Sequence, residues 1–159
     1  MFTVNVSVKN TNPNVYKQLK KRLEQISRKQ VVAGFPKGKL NSPYYDNGAS
    51  IIDVAIWNEF GTDFIPRRDF MGPAAEKWNE YFKLKVEERK DEIITGKIDI
   101  DQFLDEMGIQ GAEFISGSIV ALRKPPNAPS TIRRKGSDNP LVDTGALHRS
   151  TLHEIRMKQ

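Results

Sequence analysis

The sequence predicts an α+β fold: a small mixed β-sheet packed with about four helices, plus a long proline-rich basic loop near the C-terminus. Three observations predict it. Runs at residues 2–8, 31–35 and 150–157 have strand character. Between them, apolar side chains recur at helical spacing in four stretches. Residues 123–143 then hold four prolines (Pro125, Pro126, Pro129, Pro140) among Asn, Ser, Gly and basic side chains, with no hydrophobic period.

Taken in order, residues 2–8 alternate with period two, as a half-buried strand does. Asn12-Pro13 is a helix start, an N-cap followed by proline at the first helical position. Val15, Leu19, Leu23 and Ile26 make one face of that helix, and Lys17, Lys20, Lys21 and Arg28 the other. Val31 to Phe35 reads as a buried strand closed by Pro36, and residues 37–50 as a loop or irregular hairpin. Ser50 with Asp53 resembles a capping box ahead of a short apolar helix carrying Ile52, Ala55, Ile56 and Phe60, which Gly61 ends.

Residues 62–72 form a loop with Pro66, Arg67, Arg68, Phe70 and Met71. The spacing predicts a helix over 73–94 that buries Trp78, Phe82, Val86 and Ile93 and stops at Gly96. Asp99 and Gln102 make a second capping pair. The helix they open turns Leu104, Met107, Gly111, Phe114, Ile115, Ser118 and Leu122 inward, with Gly108 and Gly111 allowing a close approach. A structureless stretch such as 123–143 is usually functional or disordered. In residues 150–157, Leu152 and Ile155 fit weak alternation or a helical fragment, and a strand is the preferred reading.

A chain of 159 residues suits one domain, residues 1–159, with 123–143 as an extended arm within it. Hydrophobic residues are 38% and charged residues 28%, the balance of a soluble globular protein. Cysteine is absent, which excludes disulfides and thiolate metal sites. No signal peptide is visible, and no apolar run approaches the ~20 residues that span a bilayer, so assembly in a cytoplasm without membrane contact is expected. The net charge of +5 is unevenly spread. Arg123, Lys124, Arg133, Arg134 and Lys135 form a basic cluster, while residues 76–106 are rich in acids. This asymmetry suits contact with nucleic acid, or charge-complementary contact between subunits.

One motif has a catalytic look. Leu141-Val142-Asp143-Thr144-Gly145-Ala146 is similar to the active-site loop of retroviral-type aspartic proteases, in which two aspartates share a proton. The context differs: the preceding chain reads as mainly helical, and only a short segment follows. The structural alternative is a turn, with Asp143 or Thr144 as its cap and Gly145 at positive φ. His148 and His153, five apart, would fall on opposite faces of a strand and make poor co-ligands. No His-Glu-x-x-His helix or phosphate-binding glycine loop is present. Trp78, Tyr81 and Phe82 suit a core or an interface, with base stacking as the alternative. No catalytic, cofactor or metal residue is assigned.

Two groups of segments carry a resemblance. The first runs Val32-Ala33-Gly34-Phe35-Pro36-Lys37-Gly38, Ile52-Asp53-Val54-Ala55, Asn58-Glu59-Phe60-Gly61-Thr62 and Ile65-Pro66-Arg67-Arg68-Asp69-Phe70-Met71. The second runs Pro126-Asn127-Ala128-Pro129-Ser130-Thr131-Ile132, Lys135-Gly136-Ser137-Asp138, and Pro140-Leu141-Val142-Asp143-Thr144-Gly145-Ala146-Leu147 with Ser150. In order and spacing they resemble the tail-completion or neck (head–tail joining) family of long-tailed double-stranded DNA bacteriophages, with Asp69 where that family's pattern has proline. The resemblance implies a non-enzymatic virion structural protein. It would form a ring, six copies by analogy, at the head–tail junction or tail end. Its partners would be other neck or tail proteins and passing double-stranded DNA, without a cofactor. The expected interface residues are Phe64, Ile65, Pro66, Arg67, Arg68, Phe70, Met71, Arg133, Arg134 and Lys135, since aromatic, Met and Arg side chains are favoured anchors. Arg123, Lys124, Arg133, Arg134 and Lys135 are the candidate DNA contacts. The rival readings are a free nucleic-acid-binding protein using residues 123–135 and, more remotely, an aspartic protease through Asp143-Thr144-Gly145.

Overall fold

A computed structural model describes residues 13–36, 38, 40 and 42–158. The strand expected at residues 2–8 and the Asn12 cap lie outside them. The order of elements is α1 (Pro13–Ser27), β1 (Lys29–Gly34), α2 (Ile51–Phe60), α3 (Met71–Thr95), α4 (Ile100–Ala121), α5 (Pro129–Lys135), α6 (Ala146–Arg149) and β2 (Leu152–Met157).

The α+β class holds, with three corrections. Among the described residues there are six helices rather than about four; α5 and α6 are the additions, too short for a hydrophobic period to reveal. The sheet there is not mixed: β1 and β2 pair antiparallel, from Lys29 opposite Met157 to Gly34 opposite Leu152. Residues 123–143 are not one loop, because α5 interrupts them. Pro129 opens α5 at its first turn, and Gly136 closes it in the left-handed conformation (φ 67°).

The long helices follow local chemistry. The Ser50 hydroxyl accepts the Asp53 N–H (3.1 Å), and the Asp53 carboxylate accepts the Ser50 N–H (2.9 Å), so the capping box is complete. Asp99 accepts the N–H groups of Asp101 and Gln102 at the head of α4. Gly96, at φ 85°, ends α3. Arg22 of α1 donates to the carbonyls of Ile93 and Ile98, both at 2.8 Å, fastening α1 across the end of α3.

Helix α4 is the wall shared by two apolar clusters. Ile115 and Ile119 join Ile51, Ala55, Phe70, Ala74, Leu141, Ala146 and Leu147. Phe103 and Met107, one end of the same helix, join Ile93 and Ile98. Phe103 and Ile119 are deeper than the expected Phe114, Ser118 and Leu122, which are half-buried. The sheet lies against α4, and the two glycines allow the approach. A Cβ on Gly111 would stand 2.6 Å from the Trp78 ring and 2.9 Å from Ala33 Cβ, and one on Gly108 would collide with His153.

Candidate assembly interface

The segment from α2 to the start of α3 is built from the inside outward. Asn58 and Glu59, polar residues on a helix of otherwise apolar buried positions, face inward. Glu59 Oε2 accepts the N–H groups of Phe70 (3.0 Å) and Met71 (3.1 Å), the first free donors of α3. Burial pushes the Glu59 carboxyl above the usual glutamate range, with the nearby Asp69 adding to the effect and the two backbone donors opposing it. Asp69 Oδ1 accepts the Gly72 N–H (2.9 Å), a helix-start role that proline could not fill.

Arg68 is the centre of this region. Only 5% exposed, it donates to Asn58 Oδ1 (2.8 Å), the carbonyls of Pro125 (3.0 Å) and Pro126 (3.2 Å), and Asn127 Oδ1 (3.0 Å). Burial lowers its pKa from the ordinary arginine value. Arg68 is therefore a buried internal clamp rather than the interface anchor expected of it. A planar guanidinium with donors on several edges instead sews the α2–α3 loop to the start of the basic segment. The acids at 87–92 are engaged nearby: Glu88 with Lys85 (2.7 Å), Glu92 with Arg89 (3.3 Å) and Glu87 with Lys90.

The tip of the loop is a tight turn. Thr62 Oγ1 accepts the N–H groups of Phe64 (3.2 Å) and Ile65 (3.0 Å), and the Thr62 N–H donates to the Ile65 carbonyl (2.8 Å). Gly61, at φ 79°, lets the two sides of this turn close; a Cβ there would stand 3.0 Å from the Arg67 nitrogen. The turn drives Phe64 outward, where it is 95% exposed.

The expected interface residues therefore divide. Phe64, Pro66 and Arg67 are exposed, and Ile65 is half-buried. Arg67 reaches Asp69 (3.2 Å) and the Glu59 carbonyl (3.2 Å). Phe70 is 0% exposed and edge-on to Phe35, so it is a core side chain of its own subunit rather than an anchor in a neighbour. Met71 is half-buried against the same cluster.

The second half of the region is also held. Asn139 Oδ1 accepts from Leu141 and Val142 N–H, and its amide donates to the Val120 carbonyl (3.0 Å). Pro140 and Leu141 are buried, although the composition of 123–143 suggests little apolar burial. Lys135 donates to the Asn139 carbonyl (2.8 Å), and burial lowers its pKa. Arg123 folds back onto the carbonyls of Val120 and Leu122. Lys124, Arg133 and Arg134 are exposed. A groove of about 370 Å³ separates the two halves, lined among others by Asn58, Pro66, Asn127, Pro140 and Asp143.

The protease-like triplet forms a turn at the head of α6. Gly145 is at φ 80°, Thr144 Oγ1 accepts the Ala146 N–H (3.3 Å), and Asp143 is exposed. His148 sits on α6 rather than on a strand, and its buried Nδ1 has no hydrogen-bond partner among the described residues. His153, on β2, meets Asp105 at 2.7 Å. Among the described residues no group of three or more His, Asp or Glu is placed to hold a metal ion, and no helix is long and apolar enough to cross a membrane.

Sequence reasoning missed Glu59 and Arg68 as buried organisers. The available signal was Asn58-Glu59, a polar pair on the inward face of an apolar helix. Compared with known protein families, curated proteins and solved structures, the chain shows no significant match to any.

Proposed function

We propose that this chain is a structural protein of a long-tailed double-stranded DNA phage. It works without catalysis as a ring at the head–tail junction or tail end, in a neck, tail-completion or terminator role. The sequence resemblance suggests the reading. The observation that carries it is the Thr62–Ile65 turn, which presents an unsheltered Phe64 on a base fastened by Arg68 and Glu59. A rigid support under an exposed aromatic is the arrangement expected of an interface anchor, because little conformational freedom is lost on docking.

In this reading the ring encloses a passage for DNA, and exposed Arg133 and Arg134 on the last turn of α5 offer non-specific phosphate contacts. Head-to-tail contacts close into a ring when the rotation permits, and six copies is the number the resemblance favours. Negative-stain images of the purified protein, alone and with tail tubes, and native mass spectrometry of assembled necks test it. One ring per particle is the expected result; a single copy per virion refutes it.

The same exposed arginines favour a second reading, a free nucleic-acid-binding protein. That reading requires tight DNA binding by the monomer that falls steeply with salt.

A further inference from the structure

We infer that the groove between the α2–α3 segment and α5 is a docking site for an extended acidic peptide, one whose carboxylates alternate with apolar side chains. Such a site goes beyond the ring reading, and nothing in it requires a ring. One wall is Val54 of α2 with Phe64, Ile65 and Pro66 of the turn after it; the other is α5 with the segment 140–147. At about 370 Å³ the groove takes a short stretch of chain with its side chains, at the small end of the ~300–1,000 Å³ typical of ligand sites.

The charge of this groove is unbalanced. Arg68, Arg134 and Lys135 line it, and Asp143 is the one acid that does. Arg68 and Lys135 donate to neutral amide and carbonyl oxygens, which satisfy hydrogen bonds without cancelling charge. Arg134 and Asp143 enter no hydrogen bond or salt bridge among the described residues. Burial lowers the Lys135 pKa, and Arg68 and Arg134 lower it further against the opposing pull of Asp143. An incoming carboxylate replaces that repulsion between cations by attraction, in a site partly withdrawn from water where salt screens poorly.

The rest of the lining favours a peptide over a nucleic acid as the carrier of negative charge. Val54, Ile65, Pro66 and Leu141 cover the aliphatic side chains of a peptide and offer nothing to a sugar–phosphate chain. Arg68, only 5% exposed, lies too deep for the phosphates on the outside of a duplex. The exposed Asp143 carboxylate accepts peptide N–H groups and repels a polyanion. The Thr131 hydroxyl, which makes no hydrogen bond among the described residues, is a second polar partner for a peptide backbone. Arg133, on the same helix as Arg134, does not line the groove.

The test uses the full chain and a fluorescein-labelled hexapeptide of alternating Glu and Leu, followed by fluorescence anisotropy. Saturable binding is expected, weakened about tenfold or more when every Glu of the peptide is replaced by Gln. Arg134→Glu is expected to weaken it as much, and Lys20→Glu, the same change of charge on the exposed side of α1, to leave it as in the parent. Thr131→Trp, which fills the groove without altering its charge, is expected to abolish it. Amide chemical shifts of the unaltered chain, which need no variant to fold, are expected to move on titration around Ile65, Asn127 and Leu141. No saturable binding at peptide concentrations on the order of hundreds of micromolar, equal binding of the Gln peptide, or shifts centred elsewhere overturns the inference. A labelled oligothymidylate that binds more tightly than the peptide, and is lost with the same two variants, makes the groove a nucleic-acid site and also overturns it.

Discussion

Arg68→Ala tests whether one buried cation holds the two halves of the candidate interface together. The guanidinium makes four hydrogen bonds to neutral acceptors from Asn58, Pro125, Pro126 and Asn127. Hydrogen bonds to a charged group contribute ~1.5–3 kcal/mol each, but the cost of burying the cation offsets much of that sum. Alanine removes both and leaves the acceptors facing a cavity. The expected net loss is about 2–4 kcal/mol, which for a chain of this size lowers the melting temperature by roughly 10 °C. Arg68→Lys keeps the charge without the planar fork and is expected to lose about half as much. Urea denaturation followed by circular dichroism measures the stability. Tryptic cleavage within 123–135 measures the local release, because the carbonyls of Pro125 and Pro126 lose their tie. An unchanged urea midpoint together with unchanged cleavage would refute the reasoning.

Two further perturbations probe the frame around that site. The raised pKa of Glu59 means that folding favours its protonated form, so its contribution to stability is fully present below the unfolded glutamate value of about 4.3 and is lost as pH rises through the folded value. Glu59→Gln keeps an acceptor for the Phe70 and Met71 N–H groups without the charge. It is expected to be at least as stable as the parent at pH 8, with any advantage vanishing in acid; a variant much weaker at pH 8 would show that the carboxylate charge itself is needed. Gly111→Ala should destabilise by about 1–3 kcal/mol despite alanine's better helix propensity, because its Cβ meets Trp78 and Ala33. Gly117→Ala, on the same helix with open space at that position, should stabilise by about 0.5–1 kcal/mol in the same denaturation assay.

The elements legible in the sequence are those whose signals are local. The α2 capping box, the Gly96 stop, the Asp99 cap and the close approach at Gly108 and Gly111 all follow from side-chain chemistry within a few residues. So does the positive φ of Gly145. Helix α5 carries local signals too, since Pro129 and Gly136 bracket it, but seven residues with no buried member give no hydrophobic period. Arg68 and Phe70 were harder to place. A basic residue and an aromatic in a loop read as exposed anchors, and only partners distant in sequence, Asn127 for Arg68 and Phe35 for Phe70, draw them inward. Phe64, six residues before Phe70, has the same chemistry and the opposite fate, decided by the Thr62 turn.

The pairing of β1 with β2 puts a clock on folding. Strand β1 lies ahead of α2, yet Leu152 is the residue that meets Gly34, so the ladder cannot begin until nearly everything between them has been synthesised. The α3–α4 hairpin can collapse earlier, since its contacts are local. Until β2 emerges, Val31, Val32 and Ala33 have no partner strand among the described residues, and an apolar strand with open backbone donors and acceptors is a template for wrong pairing. Chains cut short before Leu152 would therefore keep their helices and become sticky. Because the last strand completes the cover over Gly108 on α4 through His153, only translation products that include β2 would be fit to join an assembly.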